Sequence, residues 1–139
     1  MYLSNFMVKL ILYLTLLASS SFNYLESKEM NAEEIYKSCK DYYNWVKGNY
    51  SQKVDAKTLF NMGKCQGVIQ TLGKTMITLC YESKRNVNIN LNFTANLKDV
   101  KTMDIIEKFI KVAASDGDLR TYSYSSYLLS IISRLWPCK

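Results

Sequence analysis

The chain has 139 residues, 48% of them hydrophobic, with 18 Lys and Arg against 12 Asp and Glu, no His, four Cys and one Pro, and a net charge of +6. That length and apolar content suit one domain with one core and exclude a disordered polar chain. The lack of histidine removes Ser-His and Cys-His nucleophiles and His-ligated zinc. Lysines spread singly, with no basic run interleaved with aromatics, argue against a nucleic-acid groove.

Residues 1–20 read as a secretory signal peptide: Lys9, an apolar run over 10–18, and Ala18-x-Ser20 as a small-x-small cleavage site. The run is too short to span a bilayer comfortably, so no stable membrane anchor is expected after cleavage. A mature chain starting near Ser21 loses Lys9 and keeps 17 − 12 = +5. That excess suits an acidic partner or an anionic surface, although general richness in Lys, Asn, Tyr and Ile accounts for it without one. The expected location is periplasmic or secreted.

Residues 21–30 lack periodicity and read as a flexible leader to a single helical domain over 31–139. Asn31, with Glu34 three positions on, has the form of a capping box and opens helix one. Its apolar row is Ile35, Cys39, Tyr42 and Val46, and Gly48 suits the left-handed position after its end. Asp55 is placed to cap helix two, whose row runs Leu59, Met62, Cys65, Ile69, Leu72, Met76 and Leu79. Residues 63–80 carry two of the four cysteines and three of the five glycines, and read as the centre of the domain. Phe60, Gly63 and Gly67 lie on the other side, a spacing that predicts close approach of a neighbouring helix.

Residues 86–93, Asn-Val-Asn-Ile-Asn-Leu-Asn-Phe, alternate polar and apolar strictly, which is the period of a half-buried strand. They read either as part of a hairpin or as an extended segment pinned by Val87, Ile89, Leu91 and Phe93. Thr102 is placed to cap helix three, with Met103, Ile106, Phe109, Ile110 and Ala113 inward and a stop at residues 115–117. Ser123 caps helix four, with Tyr124, Leu128, Ile131 or Ile132, and Leu135 inward, and Pro137 ends it. Asn49 and Asn92 head glycosylation sequons, which matter only in a eukaryotic secretory route.

Four cysteines in an exported chain allow three disulfide pairings, and without His or a C-x-x-C spacing metal binding is the weaker reading. If helices one and two form an antiparallel hairpin, Cys39 lies nine residues before Gly48 and Cys65 nine after Ala56, at one level. That predicts Cys39–Cys65, leaving Cys80–Cys138 to join the far ends of helices two and four, which run parallel in an up-down-up-down bundle. Cys65 and Cys80 lie about 22 Å apart on one helix, far beyond disulfide reach. With the thiols consumed and no base near Ser123, Ser125, Ser126 or Ser130, an enzyme is not expected. Asp104 and Glu107 share a helix face, where carboxylates normally meet the helix dipole and solvent. The fold class expected is all-α, a small four-helix bundle with two disulfides and a short β or extended insertion between helices two and three.

Cys39 on a first helix, Gly63-Lys-Cys-Gln-Gly-Val-Ile-Gln70 on a second, Leu79-Cys80 at its far end, Thr102 leading Met-Asp-Ile-Ile-Glu-Lys-Phe-Ile110, and the closing Leu135-Trp-Pro-Cys138 occur in one order. In this the chain resembles, over 33–138, the Rap/Tai-type immunity proteins of type VI secretion, small periplasmic helical proteins that neutralise peptidoglycan amidase toxins. The family's Cys-to-Thr segment is short, whereas here 81–101 is long and holds the Asn-alternating run. The resemblance implies a toxin inhibitor that occludes its partner's cleft, often as a homodimer, without cofactor, metal or nucleic acid. Partner contact is expected at Lys84, Arg85, Asn88, Asn90 and Asn92, in and beside the insertion. A periplasmic chaperone or stress protein, or a secreted host-directed effector with no catalytic activity, are the competing readings.

Overall fold

The computed structural model describes residues 29–49, 54–85 and 91–138. The signal-peptide reading, nearly all of the leader, and Val87, Asn88, Ile89 and Asn90 of the insertion lie outside these residues. Four helices follow in order: α1 Ala32–Val46, α2 Ala56–Arg85, α3 Thr102–Ala113 and α4 Tyr124–Leu135. Among the described residues there is no strand, only isolated antiparallel bridges Asn31–Ser123 and Ala95–Pro137.

The helix starts follow short-range chemistry. The Asn31 side chain accepts from the Glu34 N–H at 3.0 Å, Asp55 from Thr58 N–H at 2.7 Å, and Ser123 from Ser126 N–H at 3.4 Å, each satisfying a donor the first turn leaves unpaired. For α3 the capping residue is Lys101, and Thr102 is already helical; the Asp104 carboxylate accepts from the Lys101 N–H at 3.3 Å. Gly48, at φ +72°, closes α1 in the left-handed conformation that glycine adopts without strain.

Helices α1 and α3 each pack against all three of the others, whereas α2, twice as long as α1, barely meets α4. The backbone just before α1 is stitched to that just before α4 by Ala32 N–H to Tyr122 O at 3.0 Å and Tyr124 N–H to Met30 O at 3.2 Å. Disulfides Cys39–Cys65 and Cys80–Cys138 form, with Cα atoms 4.9 and 5.6 Å apart. Tyr124 shares a groove with Gly67, Val68 and Leu72, and Cys138 meets Cys80, so α2 and α4 advance in the same direction. They barely touch along their lengths, and the second disulfide ties their ends.

Phe109 of α3 sits at the centre of the core, wholly buried, and takes Tyr36 of α1 and Tyr127 of α4 edge-on at ring distances of 6.5 and 6.2 Å. Around it close Ile35, Ile69, Met76, Ile106, Leu128 and Ile132.

Four expectations are corrected. Val46 and Leu59 face solvent, because the closed end of the α1–α2 hairpin is left uncovered by α3 and α4; Leu135 is exposed at the opposite end of the molecule, as the last residue of α4. Gly63 and Gly67 are exposed, and a Cβ at either would meet nothing within 4 Å, so no helix packs closely against them. Phe93 is 48% exposed and does not pin the insertion; buried Ala95 and Leu97 do, in the same alternating phase but further on, where Pro137 supplies a bridge partner. Ile105, outside the expected row, is buried against the core.

Candidate functional site

The residues expected to contact a partner belong to the end of the molecule where α2 finishes. Ser83 donates to the Cys80 carbonyl at 2.9 Å and its hydroxyl lies 3.9 Å from the Cys138 sulfur, which fixes the last turn of α2 against the C-terminal tail. The segment beyond the insertion returns to the same tail: Asn96 N–H donates to Trp136 O at 3.0 Å beside the Ala95–Pro137 bridge. Residues 80–85, 91–97 and 135–138 therefore form one cross-linked cap.

Lys84, Arg85 and Asn92 are exposed on this cap; Asn88 and Asn90 lie outside the described residues. Sequence reasoning missed two large neighbours. Tyr81 and Phe93 are each about half exposed or more, and the Arg85 guanidinium lies over the Tyr81 ring at 5.6 Å while reaching Glu82 at 3.7 Å. An Arg stacked on an exposed Tyr pre-orders both side chains, and these residue types dominate the energetics of protein interfaces. The helical spacing of four between Tyr81 and Arg85 is the signal that could have revealed the pair.

A second cluster closes the other face of α1. The Arg120 guanidinium grips Glu33 with Nε–Oε2 at 2.7 Å and Nη2–Oε1 at 3.4 Å, and Lys37 Nζ reaches Glu33 Oε1 at 2.8 Å. Together with Tyr36, Asp116 and Asp118 they line a cleft of about 420 Å³. Donation from Arg120 first, then Lys37, pulls the Glu33 carboxyl from 4.5 down to about 2. Tyr127 donates to Asp116 at 2.9 Å and stacks on Tyr122, and burial followed by that hydrogen bond pushes its hydroxyl from 10.0 up to about 12. Among the described residues no three Cys, Asp or Glu side chains converge on a metal-sized space.

Because the folded carboxyl of Glu33 titrates below the unfolded one, the stability it contributes is complete above pH 4.5, fades as pH falls through the window down to about 2, and is gone below it. Arg120→Gln is expected to lower the urea midpoint at pH 7 by a small amount, as suits an exposed pair, and the difference from the parent should vanish near pH 2. A difference that persists undiminished at pH 2 would mean that Arg120 acts through packing and not through Glu33.

The two disulfides are compatible with a chain outside the cytoplasm, and among the described residues no helix is long and apolar enough to cross a membrane. Compared with protein-family models, curated proteins and solved structures, the chain matches none.

Proposed function

We propose that this chain is a non-catalytic, exported inhibitor that acts by laying its cross-linked cap into the cleft of a protein partner, in the manner the resemblance to amidase-immunity proteins implies. The observation that carries this reading is the exposed Tyr81–Arg85 stack and Phe93 on backbone anchored by Cys80–Cys138 and by the Ala95–Pro137 bridge. Aromatic and Arg anchors held rigidly lose little side-chain freedom on binding, which favours affinity over what the same residues give on a free loop. In this reading the partner is a peptidoglycan amidase toxin, the location is the periplasm or the exterior, and Lys84, Asn88, Asn90 and Asn92 are further partner contacts.

The test is inhibition of a peptidoglycan amidase encoded beside this chain, measured as amide-bond cleavage in purified peptidoglycan. The parent should abolish cleavage at stoichiometric ratio. Tyr81→Ala and Arg85→Ala should each weaken inhibition by about 30-fold, corresponding to about 2 kcal/mol for a residue at an interface centre. Full cleavage in the presence of the parent, or equal inhibition by parent and variants, would rule the reading out.

A further inference from the structure

Between α2 and the start of α3 lies a groove of about 220 Å³, separate from both the cap anchors and the Glu33 cleft. Ile69, Leu97 and Ile105 form its depth, each at most 5% exposed, and Ile77, at 41%, stands at its lip. The turn that walls it is closed by Val100 N–H donating to Leu97 O at 3.1 Å. Pockets for free small molecules run to about 300–1,000 Å³, so this smaller one suits an apolar side chain held out by another chain.

Gly73 of α2 keeps the groove open. Glycine is a poor helix former, and the fold itself does not require it here. Its φ is not in the left-handed range, and among the described residues a Cβ built on it would meet Leu97 Cδ1 at 3.6 Å, an ordinary contact, and nothing closer. A longer side chain at this position would enter the groove. The polar groups that line it, exposed Gln70 and Lys74 and half-buried Thr102, have no side-chain hydrogen-bond or ion-pair partner among the described residues. Lys74 is the one ionisable group among the lining residues. From 56 to 81 α2 holds Lys57, Lys64 and Lys74 and no acid, while across the groove Lys98 and Lys101 offset Asp99 and Asp104, whose carboxylate already accepts from the Lys101 N–H. The sign of the charge at the mouth is therefore that of Lys74.

We propose that this groove receives an apolar side chain from an acidic segment of a partner protein, with a carboxylate beside that anchor meeting Lys74 and its backbone meeting Gln70 and Thr102. Charge complementarity selects an acidic segment over a basic one, and the apolar depth selects a segment with an aliphatic or aromatic anchor over a purely polar one. Gly73 lies about 12 Å along α2 from Tyr81. Neither Tyr81 nor Arg85 takes part, so the groove serves this role whether or not the cap inhibits a toxin.

The oxidised full chain, isotope-labelled for amide NMR, is titrated with the blocked peptide acetyl-Asp-Glu-Leu-Phe-Glu-Asp-amide. Control peptides carry Lys in place of every acid, or Ser in place of Leu and Phe. The expected result is saturable shifts of the Gly73, Leu97 and Ile105 amides with a Kd of about 1 mM or tighter. Both controls should bind at least about fivefold more weakly, and the acidic peptide should weaken near 1 M salt, where the screening length falls to about 3 Å. Gly73→Leu should abolish the shifts, and Lys74→Gln should weaken binding about fivefold. Lys74 is exposed, so its replacement leaves the fold intact even if the leucine variant does not fold. Gly73→Ala should keep or raise the urea midpoint, since Ala favours the helix; a lowered midpoint would mean that packing, and not an occupant, requires the glycine. No shift at the groove, equal binding of the basic peptide, or binding undiminished by Lys74→Gln would each overturn the proposal. So would groove shifts that grow with protein concentration in the absence of peptide, which would make a second copy the occupant.

Discussion

Phe109→Ala is expected to destabilise the oxidised protein by about 3–5 kcal/mol, the range for a large aromatic removed from a core that cannot collapse around the gap. Phe109 is wholly buried, and Tyr36 and Tyr127 approach it edge-on from two different helices. Truncation therefore removes both aromatic pairs along with the transfer energy of the ring. The site has little freedom to close: α1 is locked to α2 by Cys39–Cys65, and to the start of α4 by the backbone bonds flanking Asn31 and Ser123. Against a typical net stability of about 5–15 kcal/mol, the loss is a large fraction. Urea unfolding with the disulfides intact measures it, and Phe109→Leu, which keeps most of the volume, should lose less than about 1.5 kcal/mol. A loss below about 1.5 kcal/mol for the alanine variant would mean that the core is centred elsewhere.

What the sequence disclosed and what it withheld divide along the range of the interactions. Asn31, Asp55 and Ser123 were legible as caps because the donor each satisfies lies within three residues. The pairing of Cys39 with Cys65 followed from equal distances to one turn, which requires only that two successive helices fold back. Periodicity assigned Val46, Leu59 and Leu135 to the inward faces of their helices. It could not say how far a neighbouring helix reaches, and at these ends no neighbour covers them. The alternation through Phe93 had the right phase and the wrong extent, since the choice of Ala95 and Leu97 as anchors is made by Pro137, far along the chain. The grip of Arg120 on Glu33 spans 87 residues and has no local signature. Of the candidate site, Lys84, Arg85 and Asn92 are exposed as anticipated, but Tyr81 and Phe93 emerged only once the cap was assembled.

The two disulfides are expected to separate sharply in reactivity and only slightly in stabilising effect. Cys39 and Cys65 are wholly buried, whereas Cys138 is only partly covered and lies near the chain end, beside Ser83. A thiol reductant can reach Cys80–Cys138 through local fraying of the tail, while Cys39–Cys65 opens only with the core. If that opening requires even about 3 kcal/mol, its reduction is slower by about 100-fold. Alkylation after limited reduction in native buffer, followed by peptide mapping, should label Cys80 and Cys138 first, and the pairing of residues 95–96 with 136–137 should loosen with them. Stability should follow the reverse order. Chain entropy favours the link of 58 residues over that of 26, by about 4.2 against about 3.5 kcal/mol. Replacing Cys39 and Cys65 by Ala, however, also empties two sulfur-sized spaces in the core, at about 1 kcal/mol each. Cys80 is also buried, at 6% exposure, and adds one such space to the terminal pair, so the core pair should lose about 5.5 kcal/mol and the terminal pair about 5. Larger destabilisation from Cys80→Ala/Cys138→Ala, or earlier labelling of Cys39, would mean that the tail and not the α1–α2 seam is the more tightly packed part of the fold.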